Sequence, residues 1–513
     1  MATNFGWLAL AGGVLLLIAR AAWTSYSFNK KYKFPNRMPG WPIVGNTFQV
    51  PPYHQGPWAH ETAKKYGEMF TCHIGANNWV FLNSSRVVND LLEKRSGIYS
   101  SRQDFPMAQG VISGNNRILL MPYGERWRSI RKIMHAILNK TNAGTFAPFQ
   151  DLESKHLLYD YLHHPDEWYN ANQRFANSII MSVVFGKRFE LGDPNTRRLF
   201  ETSSEFILAI QPGASLVDGW PVFDRIIPSF MKWWVPRGRR LHEKTIGIYR
   251  REVGELREKM AKGIARPCFG AQFLEKKETA ALGENFGEDQ ILFSMGSLME
   301  AGSDTSRMSI SQVIAAAATD TRWIILARAE LDWVCGSDAE RLPNLSDRDQ
   351  LPYISAVVKE AFRWRPFAEI GVPHMLTQDD EYEGYKFPKG TLFTWNAWHM
   401  SMSEDEYEQP SRFWPERWLN GKTALLDPLA GHWSFGPGKP YLLNTLSFPS
   451  EGYRLTLSQV EESAPATMSA TQTCSSPLRD CCIALTSKRY LVSRSTRSMQ
   501  TGSNIGGRRF QLR

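Results

Sequence analysis

The sequence predicts a mainly α-helical protein with a small β-rich lobe. Helical periodicity over many turns is the first observation, and it covers residues 123–138, 239–261, 289–318 and 353–363. Short strand-like segments are the second, at residues 69–82 and 382–394, the latter with a turn at 388–390. With 513 residues, 42% of them hydrophobic, the chain can bury a large core.

An apolar run opens the chain. Residues 5–23 contain one charged side chain, Arg20, and approach the ~20 residues needed to cross a bilayer core. Lys30, Lys31 and Lys33 follow it, as the positive-inside tendency requires of a cytosolic flank. A cleaved signal peptide is the alternative, although no basic region precedes the run. We expect residues 1–33 to form a single-pass anchor.

The rest of the chain divides into three parts. Residues 34–57 are rich in proline and predict an extended hinge. Residues 58–438 predict one mixed domain. Residues 439–513 are rich in Ser and Thr and lack sustained periodicity, so we expect an atypical, disordered tail.

Charge and cysteine usage exclude several classes of protein. The formal net charge is +9 without a long basic block, which favours an acidic protein partner or anionic lipid, and we expect no nucleic-acid partner. The cysteines are too scattered for a disulfide framework, which indicates a reducing compartment. Those near the C-terminus lack zinc-site spacing, so we expect no metal site there. The six are Cys72, Cys268, Cys335, Cys474, Cys481 and Cys482.

The helix predicted at 289–318 carries a stretch of small and polar residues. Ala301 and Gly302 would let a flat cofactor approach the backbone, and Asp304 and Thr305 could loosen the helix locally and relay protons. The alternative is a patch of small residues that packs helices, beside a solvated aspartate.

Two further pairs have helical spacing. Glu360 and Arg363 lie three residues apart on one helix face, and Arg417 in a Pro-Glu-Arg-Trp segment could supply a second arginine to Glu360. Trp127 and Arg131, four apart, could direct an indole N–H and a guanidinium at a carboxylate. The alternatives are an ordinary exposed ion pair and a surface arginine beside a half-buried tryptophan.

The order of these motifs is more specific than any one of them. A proline hinge, Trp-x-x-x-Arg, Ala-Gly-x-Asp-Thr, Glu-x-x-Arg, Pro-Glu-Arg-Trp and Phe-x-x-Gly follow one another between Pro35 and Gly438. This resembles the cytochrome P-450 family, of the membrane-bound type found in fungal secondary metabolism. The resemblance implies the P-450 fold, one haem b, and monooxygenation of a hydrophobic small molecule with O2. It also implies electrons from NADPH through a flavoprotein reductase, and a body on the cytosolic side of the endoplasmic reticulum membrane.

The resemblance implies roles for single residues. Trp127, Arg131 and His374 would hold the haem propionates, and Asp304 and Thr305 would deliver protons. Haem would lie against Ala301 and Gly302 and the loop that begins at Phe435 and Gly438. Glu360, Arg363 and Arg417 would form a structural triad behind it. Substrate contacts would come from residues 100–118 and 367–372, and a reductase-facing basic patch from Arg126, Arg128 and Lys132.

The chain departs from the family pattern at the iron ligand. The family loop reads Phe-x-x-Gly-x-Arg-x-Cys-x-Gly, and its last three fixed positions fall here on Pro440, Leu442 and Asn444. Leucine has no lone pair to give to iron. We hypothesise a frame change or a retained intron near Lys439. The alternative is a catalytically inactive, haem-deficient relative with a membrane-scaffold role.

Overall fold

Helices form most of the body in the computed structural model, which describes residues 19–20, 23–24, 26–138, 146–278, 286–337, 340–421, 425 and 431–437. The α-helices are α1 Gln55–Tyr66, α2 Ser85–Val88, α3 Glu125–Leu138, α4 Ala147–His163, α5 Trp168–Phe185, α6 Pro194–Ala209, α7 Leu216–Gly219, α8 Val222–Ile226, α9 Trp234–Ala261, α10 Phe269–Glu278, α11 Glu288–Thr319, α12 Arg322–Cys335, α13 Pro352–Trp364 and α14 Ala397–Ser401. Short helical turns lie at Asn89–Glu93, Pro106–Ile112, Ile118–Leu120, Pro165–Glu167, Ser229–Met231, Leu345–Gln350 and Pro415–Trp418.

The four helices predicted from periodicity are confirmed as α3, α9, α11 and α13. Three of them begin and end within about two residues of the predicted bounds, the usual uncertainty of helix ends. Helix α9 begins five residues earlier than predicted, at Trp234. Pro236 lies in its first turn, where a helix does not need the N–H that proline lacks.

The strands form a four-stranded sheet and a separate hairpin. Strands β1 Met69–Ile74 and β2 Asn77–Leu82 are antiparallel, β6 Leu392–Trp395 is parallel to β2, and β3 His374–Met375 is antiparallel to β6. The hairpin consists of β4 Asp380–Tyr382 and β5 Tyr385–Phe387. The sheet order β1-β2-β6-β3 thus joins the N-terminal segment to the chain that follows α13.

One turn differs from the prediction. The residues at 388–390 do not close a hairpin but lead from β5 to β6, in the other sheet. The hairpin closes instead at Glu383 and Gly384, whose φ angles of 48° and 78° are both positive. Two successive positive φ angles match the twist of a two-residue hairpin, which explains why the chain turns there.

Helix α11 runs through the centre of the helical layer. It packs most extensively against α5, and also against α9 and α13. Nearly every residue of α5 from Ala171 to Phe185 is buried, because that helix lies between α4 and α11. The long helix α11 therefore has fixed neighbours on several sides, and its middle residues are held in defined positions.

The predicted anchor and tail fall largely outside the described residues. Residues 1–18 and 438–513, including Gly438, are not among them. In the described part of the chain, no helix is both long and apolar enough to traverse a bilayer.

Candidate active site

The small and polar stretch lies in the middle of α11. The helix is continuous there, and Thr305 Oγ1 donates a hydrogen bond back to the carbonyl of Ala301 at 2.9 Å. Ser309 Oγ donates in the same way to the carbonyl of Thr305, also at 2.9 Å. Gly302, which has no Cβ, is buried on the same turn. The expected loosening is thus confined to side-chain bonds that compete for backbone carbonyls.

Asp304 is buried on the same helix turn. Its Oδ1 accepts from Arg307 Nη2 at 3.4 Å, and within the described residues its Oδ2 has no hydrogen-bond partner. Burial raises the pKa of Asp304, and the Arg307 cation opposes that shift. Arg307 is held in turn by the hydroxyl of Tyr169 and lies 4.9 Å from that ring. A buried carboxyl with a raised pKa can take up and release protons.

Asp304 and Thr305 make separate contacts. Among the described residues no hydrogen bond joins the two side chains, because Asp304 turns toward Arg307 and Thr305 toward Ala301. The structure therefore places both predicted proton-relay residues on one turn without linking them directly.

Glu360 accepts hydrogen bonds from four different residues. Arg363 binds it with two nitrogens, at 2.7 and 3.0 Å, and Arg417 Nε lies 3.2 Å away. The Trp418 indole N–H and the Trp414 backbone N–H donate at 2.9 and 2.8 Å. Glu360 and Arg363 are fully buried. The three residues of the predicted triad are thus in contact, with Glu360 at the centre.

Arg363 and Arg417 also fasten the chain that follows α14. Arg363 Nη1 donates to the carbonyls of Ser401 and Pro410, each at 2.7 Å. Arg417 Nη1 donates to the carbonyl of Glu408 at 2.7 Å. Without the Glu360 carboxylate, both guanidinium groups would remain buried, and their remaining hydrogen-bond acceptors would be backbone carbonyls of this segment.

Trp127 and Arg131 contact each other on α3. The Arg131 guanidinium lies 4.7 Å from the centre of the Trp127 indole, and both side chains are partly buried. Burial lowers the pKa of Arg131, although the group stays charged. The stacked cation keeps its N–H groups free for a carboxylate, since stacking uses only the face of the guanidinium.

His374 lies in β3 and is partly buried. Its Nδ1 is 2.9 Å from the carbonyl of Tyr99, an acceptor, so Nδ1 carries the hydrogen. Burial first, and then the Arg102 cation, lower the pKa of His374 to about 3. The imidazole is therefore neutral at physiological pH, and its Nε2 is an acceptor. A carboxylate could bind at that nitrogen only if a proton were taken up with it.

Arg102 is a site candidate that the sequence reasoning did not single out. Its Nη1 donates to the carbonyls of Val372 and Pro373 at 2.7 and 2.6 Å, directly before His374. Burial lowers its pKa to about 10, so it remains charged at neutral pH. No local pattern distinguishes Arg102 from other arginines, since its partners lie 270 residues further along the chain.

The segment just before the position of the family's cysteine loop packs against α13. The ring centre of Phe435 lies 4.8 Å from that of Phe362, and Ser434 donates to the Phe362 carbonyl. Gly436 has φ of 76°, and a Cβ there would lie 2.8 Å from the Trp395 ring. Phe435 therefore lies beside the helix that carries Glu360.

Cysteine does not follow that segment. The cysteines that the structure describes are buried elsewhere: Cys72 in β1, Cys268 just before α10 and Cys335 at the end of α12. Burial raises the pKa of Cys72 to about 12, which disfavours a thiolate. Arg102 and Arg131 are cations of the kind that bind the carboxylates of a haem group. The chain does not fit the iron of that group, because Leu442 stands at the ligand position of the family pattern.

A cavity of about 560 Å³ lies next to Arg102 and His374, because their chain neighbours Gln103 and Pro373 line it. Both segments predicted to contact substrate line it, through Gln103 and Phe105 from one and Ile370 and Val372 from the other. The wall also includes the end of α6, the chain after it, the start of β2, residues 52–55, which end at the start of α1, and residues 119–120. Most of the lining is apolar, which suits a hydrophobic small molecule.

Fold and site together define the class of protein. The cytochrome P450 family model matches residues 35–439, and the chain belongs to that family. The match ends three residues before Leu442. Haem is implied by membership.

Individual relatives agree with this assignment. The chain is 33% identical over 439 residues to cytochrome P450 monooxygenase fogE of Aspergillus ruber, covering 84% of this chain and 80% of the relative. It is 33% identical over 445 residues to cytochrome P450 monooxygenase verL of Clonostachys rogersoniana, covering 83% and 79%. It is 30% identical over 444 residues to cytochrome P450 monooxygenase aneD of Aspergillus aculeatus, covering 85% and 84%. All three are fungal.

Proposed function

We propose that this chain is a haem-dependent monooxygenase that oxidises a hydrophobic small molecule with O2 in fungal secondary metabolism. One structural observation supports the proposal most directly. The stretch that begins at Ala301 is connected to the cavity wall, because Glu300 forms an ion pair with Arg117, two residues before the lining residues Leu119 and Leu120. Oxygen chemistry at that stretch would act on a ligand in the cavity.

In this proposal, several side chains would hold the haem group at its edge. Arg102, Arg131 and Trp127 would bind the propionates, and His374 would join them with uptake of a proton. Glu360, Arg363 and Arg417 would hold the surrounding chain rigid. Ala301 and Gly302 would let the flat group approach α11, and Phe435 would flank it at the start of the loop.

Asp304 and Thr305 would carry protons to the place where oxygen is reduced. Haem would supply the iron for that reduction, and the chain as written cannot ligate the iron through a thiolate. In a chain whose loop has been restored, Thr305→Ala should lower product formation more than NADPH consumption. An unchanged ratio of product to NADPH would contradict the role of Thr305.

The experiment that tests the proposal reads the transcript and then the spectrum. A transcript that restores Arg-x-Cys-x-Gly across the codons for Pro437 to Asn444 would support a monooxygenase whose C-terminal reading was displaced. We expect ferrous-CO absorbance at about 450 nm from that restored chain and none from the chain as written. The second candidate, a haem-deficient scaffold, is favoured by Leu442, and a transcript that keeps leucine with no such absorbance would support it.

Electron delivery is proposed to use exposed basic side chains around α3. Arg126, Arg128 and Lys132 lie within two turns of that helix and would attract an acidic flavoprotein reductase that passes on electrons from NADPH. Reversal of these charges in the restored chain should slow reduction at low salt more than at high salt. An equal effect at both ionic strengths would rule out electrostatic docking there.

A cytosolic body anchored to the endoplasmic reticulum membrane by residues 1–33 is also proposed. Support comes from two exposed apolar side chains outside the core: Ile43 is 90% exposed and Phe230 is 89% exposed. Apolar side chains exposed to that extent suit a lipid surface better than water.

A further inference from the structure

We propose that the cavity selects a non-anionic, largely apolar substrate that carries a group able both to donate and to accept hydrogen bonds, such as a secondary amide, and that Gln55 and Gln103 recognise this group. The inference rests on the proposed function, because it names the substrate class of the same cavity. Two buried primary amides and the charge of the cavity wall support it.

Gln55 offers the cavity an acceptor. It is the first residue of α1, is 6% exposed, and lines the cavity. Its Nε2 donates to the carbonyl of Pro51 at 3.2 Å and to Gln211 Oε1 at 3.0 Å. The Pro51 carbonyl can only accept, so the orientation of the amide is fixed. In the described part of the chain Gln55 Oε1 has no partner.

Gln103 offers a second amide. It is 8% exposed, lines the cavity, and accepts from Asn77 Nδ2 at 3.0 Å through its Oε1. Among the described residues its Nε2 has no partner. Were both amides turned over, the same pair would still leave one donor and one acceptor. Gln103 and Asn77 therefore present both kinds of atom to a ligand in either orientation.

The rest of the wall disfavours an anionic ligand. No lysine or arginine is among the described residues that line the cavity, so an anion would find no counter-charge. The carboxylate of Glu369 accepts from the backbone N–H of Gly56 at 2.7 Å. That of Asp218 accepts from the N–H groups of Met107 and Ala108 at 2.7 and 3.2 Å. Both carboxylates already accept backbone hydrogen bonds, and the Gln55 and Gln103 amides are neutral groups of the wall that, within the residues the structure describes, keep an unused acceptor and an unused donor.

A pure hydrocarbon would fill the apolar part of this cavity at a cost. It would displace water from the Gln55 and Gln103 amides and leave them without partners, which is unfavourable for a buried polar group. A ligand with an amide restores those bonds. Sites built to hydrogen-bond a polar group reject an isostere without it more strongly than apolar pockets reject a change of size.

Three probes of nearly equal shape test the proposal. Benzanilide has an amide that donates and accepts, phenyl benzoate has an ester that only accepts, and trans-stilbene has neither. Their dissociation constants would be measured by equilibrium dialysis with the full chain in lipid nanodiscs. We expect benzanilide to bind about tenfold more tightly than trans-stilbene, with phenyl benzoate between them.

Variants assign the effect to the two glutamines. Gln55→Met with Gln103→Met keeps side-chain length without the amides and should bring the benzanilide to trans-stilbene ratio to within about twofold. Gln272→Met on the exposed face of α10 is the matched control and should keep the parent ratio. Circular dichroism melting shows whether each variant is folded, and the probe series in the parent needs no variant.

Several outcomes overturn the proposal. They are equal affinities for all three probes in the parent, no binding of any probe, or an unchanged ratio in a folded double variant. Dialysis needs neither haem nor electrons, so these outcomes are independent of the ferrous-CO spectrum that tests the proposed function. A restored chain with the 450 nm band but no preference for benzanilide would leave the monooxygenase proposal standing and remove this one.

Discussion

Arg117 and Glu300 form a buried ion pair that connects the cavity wall to helix α11. Arg117 is 1% exposed, its Nε donates to Ser113 Oγ at 3.1 Å, and its guanidinium lies 3.5 Å from the centre of the Phe206 ring. Tyr249 donates its hydroxyl to the other oxygen of Glu300 at 2.5 Å. Four separate parts of the chain meet at this pair, which fixes the wall relative to the Ala301 stretch.

Glu300→Ala should destabilise the protein by about 3–5 kcal/mol, because the Arg117 cation would remain buried without its partner. The measurement is the free energy of unfolding in urea. Glu201→Ala breaks the exposed pair with Arg197 and should change that free energy by no more than about 0.5 kcal/mol. Equal losses of unfolding free energy in the two variants would show that the Arg117–Glu300 pair stabilises the fold no more than an exposed pair does.

Of the two ion pairs Glu360–Arg363 and Arg117–Glu300, only the first could be predicted from the sequence. Glu360 and Arg363 are three residues apart on a helix, so their contact follows from helical spacing alone. Arg117 and Glu300 are 183 residues apart, and neither belongs to a local pattern. Their contact depends on how α11 packs against the chain before α3, and such packing is set by the whole fold.

The same distinction separates the predicted elements from the cavity. Helices α3, α9, α11 and α13 carry their own periodicity and could be predicted, as could the place where the family pattern stops. The amide pairs that line the cavity could not, because Gln55 meets Gln211 across 156 residues. Glutamine has no sequence signature for burial, and only the fold shows that these amides lack partners.

Glu360→Ala should also cost about 3–5 kcal/mol of unfolding free energy, since it leaves the buried Arg363 and Arg417 without a carboxylate. Urea unfolding again gives the value, and Glu404→Ala at an exposed position is the control. The loss of unfolding free energy in Glu360→Gln should lie between those of Glu360→Ala and Glu404→Ala, because an amide keeps one acceptor oxygen but no charge. A parent-like Glu360→Ala variant would contradict the central place of this carboxylate.

His374 should make stability depend on pH. Its pKa is about 3 in the folded chain and about 6.5 when unfolded, so folding favours the neutral form. The stability from this group is complete above about pH 6.5 and is lost as the pH falls toward 3, at about 1.4 kcal/mol per unit. Protonation of the unfolded chain drives the loss.

The comparison is between the parent and His374→Asn, whose side-chain amide can still donate to the Tyr99 carbonyl. Between pH 7.5 and 5.0 the parent should lose about 2 kcal/mol more unfolding free energy than the variant. The subtraction removes the contributions of the other histidines, including His60 and His399, whose pKa values are also lowered. Parallel pH profiles would mean that His374 does not titrate in this way.

Membrane binding should have two separable parts. Deletion of residues 1–33 should release much of the protein from vesicles in a flotation assay, because the apolar run at 5–23 would be gone. Ile43→Ser with Phe230→Ser in the deleted chain should lower the remaining binding further, since both side chains are almost fully exposed. Trp333→Ser is the control, because Trp333 on α12 is 74% exposed and should not affect flotation. Equal flotation of all three chains that lack residues 1–33 would mean that Ile43 and Phe230 do not contact lipid.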